Sequence, residues 1–205
     1  MTPSADSILI FAGSTRVQSF NRKLAKEAAR LVREAGARPT LIELQELHIP
    51  LYNADLESRG TPKSVITLKG LMHSHAGWII ASPEYNGSYT ALLKNTLDWA
   101  SSPAKAGPEC SEAEAENWKS GLKPFAGKVV GLMSASPGAL GGLRSLDHLA
   151  PLLRNLQCWL APQQFALNKA ADAFDAQGQI KEPATVQRVK AVVDQVIFGA
   201  QRLSG

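Results

Sequence analysis

Cysteine is nearly missing: 205 residues contain two, Cys110 and Cys158. Their spacing is neither a zinc nor a redox motif, and a disulfide-stapled domain is excluded. Cys158 lies in an apolar run and reads as a small core residue. Cys110 lies among acids, which raise a thiol pKa and make it a poor nucleophile. Histidine is almost as scarce. His73 and His75 are two apart, so a helix turns them to different faces and no shared metal is expected. His48 and His148 have no visible partners. No apolar run approaches the ~20 residues of a membrane span. The N-terminal stretch has no basic residue, and the apolar run behind it is too short for a signal sequence. A cytoplasmic location follows as the expectation.

A block of one charge is lacking too. The net charge of +4 comes from Lys and Arg scattered among Asp and Glu, with no basic cluster or aromatic RNA-binding motif. Nucleic acid is therefore not expected as a partner. No Walker lysine follows the first small-residue loop, no G-x-G-x-x-G follows the first apolar run, and no G-x-S-x-G elbow occurs. A P-loop, a dinucleotide in the usual Rossmann manner, and a serine hydrolase are all disfavoured.

What is present is a regular alternation, with no internal repeat and no linker that would divide residues 1–205 into more than one domain. Short, continuously apolar strands are expected at Ser7–Ala12, Gly77–Ala81 and Lys128–Ser134, with others at Pro39–Leu44 and Gln164–Leu167. Helical spacing is expected over Asn21–Ala35, Pro62–His75, Thr90–Ala100, about 143 to Gln157, and Ala184–Leu203. Gln45–Thr61 reads as a polar loop. Ser101–Gly121 is poor in apolar residues and reads as a functional or mobile loop, with a turn or two of helix near Ser111–Trp118. Phe174–Ile180 reads as a turn. Such alternation gives a doubly wound parallel sheet with helices on both faces, and ligands then sit outside the carboxyl ends of strands one and three.

The loops after strands one, three and four are thus where chemistry belongs. The first, Gly13–Asn21, offers small residues, main-chain N–H groups and a helix start, which together favour an anion. Ser14 and Ser19 add hydroxyls, Arg16 a charge-assisted fork, and Asn21 a cap or a free amide. An ordinary capped helix with a surface arginine is the other reading. In the second loop, Pro83 stiffens the strand exit, while Tyr85 and Asn86 offer a ring face and an amide edge to a flat heterocycle. Main-chain N–H groups near Asn86 and Gly87 point to the same use. A plain polar turn is the alternative there.

The two loops resemble those of the NAD(P)H-dependent FMN reductase family of flavodoxin-like proteins, which includes quinone, chromate and azo-dye reductases. The pattern G-S-x-R-x-x-S-x-N-x-x-L-A is met by Gly13 through Ala25. P-E-Y-N-x-S with L-K-N-x-x-D-W is met by Pro83 through Trp99. Pro124–Lys128 before strand four, and Ala135–Gly138 with Gly141-Gly142 after it, are also similar to the family. The resemblance covers nearly the whole chain. It implies a flavodoxin-like, five-stranded parallel sheet in the order 2-1-3-4-5.

It further implies that Ser14, Arg16, Ser19, Phe20 (through its backbone) and Asn21 hold the FMN phosphate. Pro83, Glu84, Tyr85, Asn86 and Gly87 would line the isoalloxazine, with Ser134, Ser136 and Gly138 in the loop at its far edge. NADPH or NADH would be the co-substrate and a quinone, flavin or similar small molecule the acceptor, in ping-pong order. No protein acid or base is required, because the flavin carries the chemistry. Glu84 and Asp98 are accordingly not read as catalytic; Glu84 is expected to orient loop or subunit contacts. No metal and no membrane are expected. A homodimer or homotetramer is implied, with Trp99 and Leu92–Leu93 as candidate exposed apolar residues. Ser101–Gly121 is longer than the family pattern and is expected near the site entrance. An electron-carrier flavodoxin and an FMN-bound regulatory or interaction protein are the alternatives.

Overall fold

A computed structural model describes residues 4–203. Its sheet is built from β1 (Ser4–Ala12), β2 (Arg38–Ile42), β3 (His75–Ala81), β4 (Val129–Ala135) and β5 (Trp159–Leu160), in the order β2-β1-β3-β4-β5. Every pairing is parallel, and β6 (Phe165–Leu167) also lies along β4. The fold is flavodoxin-like. The expected fifth strand, Gln164–Leu167, is therefore only half of what is there. Chain from Ala161 to Gln164, including Pro162, which has no N–H to give a ladder, separates it from β5.

Alternation along the strands divides the core. Ile8, Ile10, Ala12, Ile79, Ala81, Met133 and Ala135 face α1 (Phe20–Glu34) and α8 (Pro183–Leu203). Leu9, Phe11, Trp78, Ile80, Val130 and Leu132 face the opposite layer. That layer holds α3 (Lys63–Ser74), α4 (Ala91–Ser101) and α6 (Leu143–Asn155). Strands apolar on both faces can exist only when both are covered, which is why these runs show no polar alternation.

The register fixes where the loops emerge. Ala12 pairs with Ala81, and Ala81 with Met133, so β1, β3 and β4 finish nearly level. Gly13 N–H donating to Ala81 O at 2.9 Å and Ser82 N–H to Met133 O at 2.9 Å carry the ladder one step into the loops. Three loops distant in sequence consequently share one edge.

Other expectations change. The supposed polar loop 45–61 contains a 3-10 turn (Leu44–Leu47) and α2 (Ala54–Ser58), whose amides at Asp55 and Leu56 donate to the Asn53 side chain. The short helix α7 (Ala170–Ala173) was not expected. Trp99 and Leu93 are buried and Leu92 is partly covered, so they are no exposed patch. Instead, Trp99 donates its indole N–H to Pro50 O at 2.9 Å, and Tyr52 packs edge-on against its ring.

The segment 101–121 lies against α2 and α3, and none of its residues lines the cleft described below. It carries α5 (Glu112–Asn117), closed by a capping box between Ser111 and Glu114. Thr61 and Lys105 exchange two hydrogen bonds of 2.9 Å, and Cys110, Trp118, Ala104 and Ile66 form a small buried cluster. Beneath it, the buried Lys69 ammonium donates to Ala100 O at 2.7 Å and Ser102 O at 2.5 Å. Burial draws this amine down to about 8, against the opposing pull of Glu57. The Cys110 thiol is pushed up, by burial first and by Glu114 second.

Candidate active site

The first wall is built by the start of α1. Ser19 is its N-cap, extended at φ −69° and ψ 128°, with its Oγ accepting from Arg22 N–H at 3.4 Å. The main-chain N–H groups of Phe20 and Asn21 have no acceptor among the described residues. They carry the positive end of the α1 dipole. Ser14 lies buried beside them, its Oγ accepting from Arg16 N–H at 3.4 Å. The Arg16 guanidinium is exposed. It reaches Gln18 O at 2.8 Å and the Phe20 ring at 5.4 Å, and no carboxylate pairs with it among the described residues. An arginine without a counterion beside orphan N–H donors is poised for an anion.

Asn21 behaves differently from the expectation. Its buried amide donates to Ala135 O at 2.8 Å and accepts from Ala135 N–H at 2.9 Å. The last β3–β4 pair is Ala81 with Met133, and β3 leaves the sheet at Pro83. Strand alternation still turns both polar groups of Ala135 toward the missing strand. Asn21 takes that strand's place. It neither caps α1 nor offers its side chain to a phosphate; its main-chain N–H remains available.

The second wall is the turn Tyr85–Ser88, closed by Tyr85 N–H to Ser88 O at 2.9 Å and Ser88 N–H to Tyr85 O at 3.1 Å. Asn86 at φ +52° and Gly87 at φ +80° give the two left-handed residues that such a tight turn requires. Tyr85 is 56% exposed, its ring at the rim. Glu84 lines the cleft, yet its carboxylate is engaged by Arg144. Its carboxylate accepts from Arg144 N–H at 3.2 Å and Nε at 2.7 Å, and pairs with Nη2 at 2.5 Å.

That contact supplies a cap α6 lacks, since α6 opens on Gly142 with no side-chain cap of its own. Ser145 Oγ donates to Ser82 O at 3.3 Å and His148 Nδ1 lies 3.1 Å from Ser88 Oγ. Three residues on the first turns of α6 therefore hold the second loop. None of the three carries a motif of its own in the sequence. An unpaired acid in one loop and an uncapped helix start in the next were the available signal.

The third wall is Ala135–Pro137. Ser136 N–H donates to Leu167 O at 3.0 Å, and its Oγ accepts from Gly138 N–H at 3.2 Å. Ser134 is fully buried under this wall, the one buried side-chain polar atom without a partner among the described residues. A Cβ on Gly142, at φ +89°, would stand 1.9 Å from its Oγ, so α6 starts this close only because residue 142 is glycine.

Ser14, Arg16, Ser19, Phe20, Asn21, Pro83, Glu84, Tyr85 and Ser136 come together with Ala135 and Pro137 around one cleft of about 450 Å³ including its open mouth. Asn86 and Gly87 continue its rim from Tyr85. Ser134 and Gly138 are not part of its lining. Orphan helix donors, two hydroxyls and a free guanidinium lie at one end, and proline and tyrosine surfaces at the other. This donor set fits a phosphomonoester that carries a flat ring. His73 and His75 are engaged elsewhere, with Lys123 O at 3.2 Å and Thr40 Oγ1 at 2.7 Å respectively. No group of three metal-ligating side chains occurs among the described residues.

The family model described as NADPH-dependent FMN reductase matches residues 7–172. The chain belongs to the NADPH-dependent FMN reductase family. It is 31% identical over 200 residues to an NAD(P)H-dependent FMN reductase of Pseudomonas aeruginosa, covering 97% of each chain. It is 31% identical over 204 residues to an NADPH:quinone oxidoreductase of Arabidopsis thaliana, covering 97% of this chain and 93% of the relative. Among solved structures, it superposes on FerB, a flavoenzyme NAD(P)H:(acceptor) oxidoreductase from Paracoccus denitrificans, with a TM-score of 0.77. Identity there is 25%, over 96% of this chain and 98% of that one. An oxidoreductase that uses FMN and NAD(P)H is thereby established. Among the described residues, no helix is long and apolar enough to cross a membrane.

Proposed function

We propose that this enzyme reduces a quinone, a flavin or a similar small acceptor in ping-pong order, acting as one cytoplasmic domain. When bound, FMN supplies the chemistry, taking hydride from NAD(P)H and passing reducing equivalents on. The observation that carries the reading is the meeting of three loops at the level ends of β1, β3 and β4.

The division of labour follows from the walls. Ser14, Ser19, Arg16 and the N–H groups of Phe20 and Asn21 would hold the phosphate. Pro83–Gly87 and Ser136 would border the ring, with Ser134 and Gly138 in the loop at its far edge. Asn21 and Arg144, the latter through Glu84, keep the walls at a fixed separation. No side chain of the cleft serves as general acid or base. The open mouth admits donor and acceptor in turn, which supports ping-pong order.

A homodimer or homotetramer is part of the proposal; Trp159 and Phe198, each about 60% exposed, supply apolar surface for it. Sedimentation that returns a monomer at working concentration would remove that part alone. For the reaction, NADPH or NADH is added anaerobically to the FMN-loaded protein, followed by a quinone. Loss of the yellow colour, its return on adding quinone, and parallel double-reciprocal lines are expected. Persistent colour would instead mark an electron carrier, and intersecting lines would rule out the ping-pong order.

A further inference from the structure

A second concavity opens on the far side of Phe20, between the outer face of α1 and the turn at 176–179. It is a groove of about 1080 Å³ including its open mouth, and it shares no lining residue with the cleft. Four cations line it. Arg22 is paired with Glu43, and Arg30 with Glu27 and Glu34. Glu27 is the one acid in the lining and is already held by Arg30. Lys23 and Lys26 have no carboxylate within ion-pair distance among the described residues.

Lys23 is also held in place. Its ammonium stands 6.0 Å above the Phe20 ring and 5.7 Å above that of Phe174, and the two rings stack at 6.2 Å. Its stem runs past Gly178, where a Cβ would make ordinary contact with Lys23 Cγ at 3.8 Å. Lys26 is one turn further along the same helix face. The turn opposite is fixed by Asp175 Oδ1, which accepts from Gln177 N–H at 2.9 Å and Gln179 N–H at 2.8 Å. That engages one oxygen of Asp175 and leaves two glutamine side-chain amides in the lining of the groove.

We propose that this groove holds the 2′-phosphate of NADPH, with Lys23 and Lys26 as its cationic contacts. The proposal rests on the reading of the cleft given above. Arg16 and the α1 terminus already answer the phosphate of FMN, so two uncompensated charges remain for a further dianion. A phosphomonoester carries close to two negative charges at neutral pH. The pyrophosphate is common to NADH and NADPH, whereas the monoester distinguishes them. Neutral amides from Gln177 and Gln179 suit the sugar and base beside it. Arg16 of the cleft and Lys23 of the groove both stand against the Phe20 ring, at 5.4 and 6.0 Å, so the two sites are neighbours.

The test is the double variant Lys23→Ala/Lys26→Ala, with Lys26→Ala alone as the milder form. Both lysines are partly or wholly exposed, and a thermal melt checks the fold. The ratio of kcat/KM for NADPH over NADH is expected to fall by about tenfold in the double variant. Calorimetric binding of 2′,5′-ADP to the FMN-loaded wild type is expected to be lost in it, while 5′-AMP is bound equally by both. A ratio that stays within twofold, or 2′,5′-ADP bound equally by both proteins, overturns the proposal. FMN affinity is titrated separately. A wild type that fails to bind FMN at all sinks the reading of the cleft; 2′,5′-ADP is then titrated into the apoproteins, where binding lost in the double variant upholds the groove and equal or absent binding overturns it.

Discussion

Replacing Asn21 with alanine removes a strut, not a phosphate ligand, and the structure sets the size of the effect. Two hydrogen bonds of 2.8 and 2.9 Å disappear together, and their partners are the N–H and C=O of one buried residue, Ala135. A buried backbone group left without a partner costs about 1–3 kcal/mol. No other described side chain bonds to either group, so the two losses add, less whatever entering water recovers. A net cost of about 3 kcal/mol follows, which for a domain of this size is a fall of roughly 6–12 °C in melting temperature.

Asn21→Asp separates this account from a simple loss of packing. The carboxylate still accepts from Ala135 N–H but sets its second oxygen against Ala135 O, so this variant must be no more stable than Asn21→Ala. Urea unfolding and thermal melts of the apoprotein measure both. FMN affinity should fall in parallel, because Asn21 ties the start of α1 to the third wall. An Asn21→Ala protein within about 1 kcal/mol of wild type, or an Asn21→Asp protein as stable as wild type, refutes the reasoning.

Three further outcomes are expected. Arg16→Ala should weaken FMN binding by at least about tenfold but cost the apoprotein no more than about 1 kcal/mol, since within the protein its exposed guanidinium reaches only Gln18 O and the Phe20 ring; a fluorescence titration reads the first and a thermal melt the second. Arg144→Ala should loosen the Tyr85–Ser88 turn and weaken FMN binding a few-fold, and Glu84→Gln should do the same without additive loss in the double variant. Lys69 has a folded pKa of about 8 against an ordinary 10.5, so the unfolded chain binds more protons between these values. Stability contributed through it therefore rises as pH increases from about 8 to about 10.5, by an amount on the order of 3 kcal/mol. Lys69→Met should abolish that rise relative to wild type in urea unfolding at several pH values.

Much of the architecture could be read from pattern. Ile8–Ala12, Gly77–Ala81 and Val129–Ser134 are apolar on both faces because helices cover both, and such runs announce a parallel sheet. From that follows the edge where the loops meet. The family motifs then gave the cleft its chemistry. What could not be read was pairing across the fold. Asn21 looked like a cap because Asn commonly caps helices, yet Ser19 does so, and the Asn21 amide reaches 114 residues along the chain to Ala135. Glu84 finds Arg144 sixty residues away. Trp99 reads as exposed only if Pro50 and Tyr52 are left out of account. Ser101–Gly121 looked loose because its polar residues bond inward, to Thr61, Lys63 and Lys69, which no local window reveals.

The most direct measurement is a crystal structure of this protein soaked with riboflavin 5′-phosphate. The account predicts phosphate oxygens within hydrogen-bond distance of Ser14 and Ser19 hydroxyls and the first N–H groups of α1. It also predicts the ring lying between Pro83–Gly87 and Ala135–Gly138. Density for the flavin at any other surface, or a cleft closed by its own side chains, would contradict it.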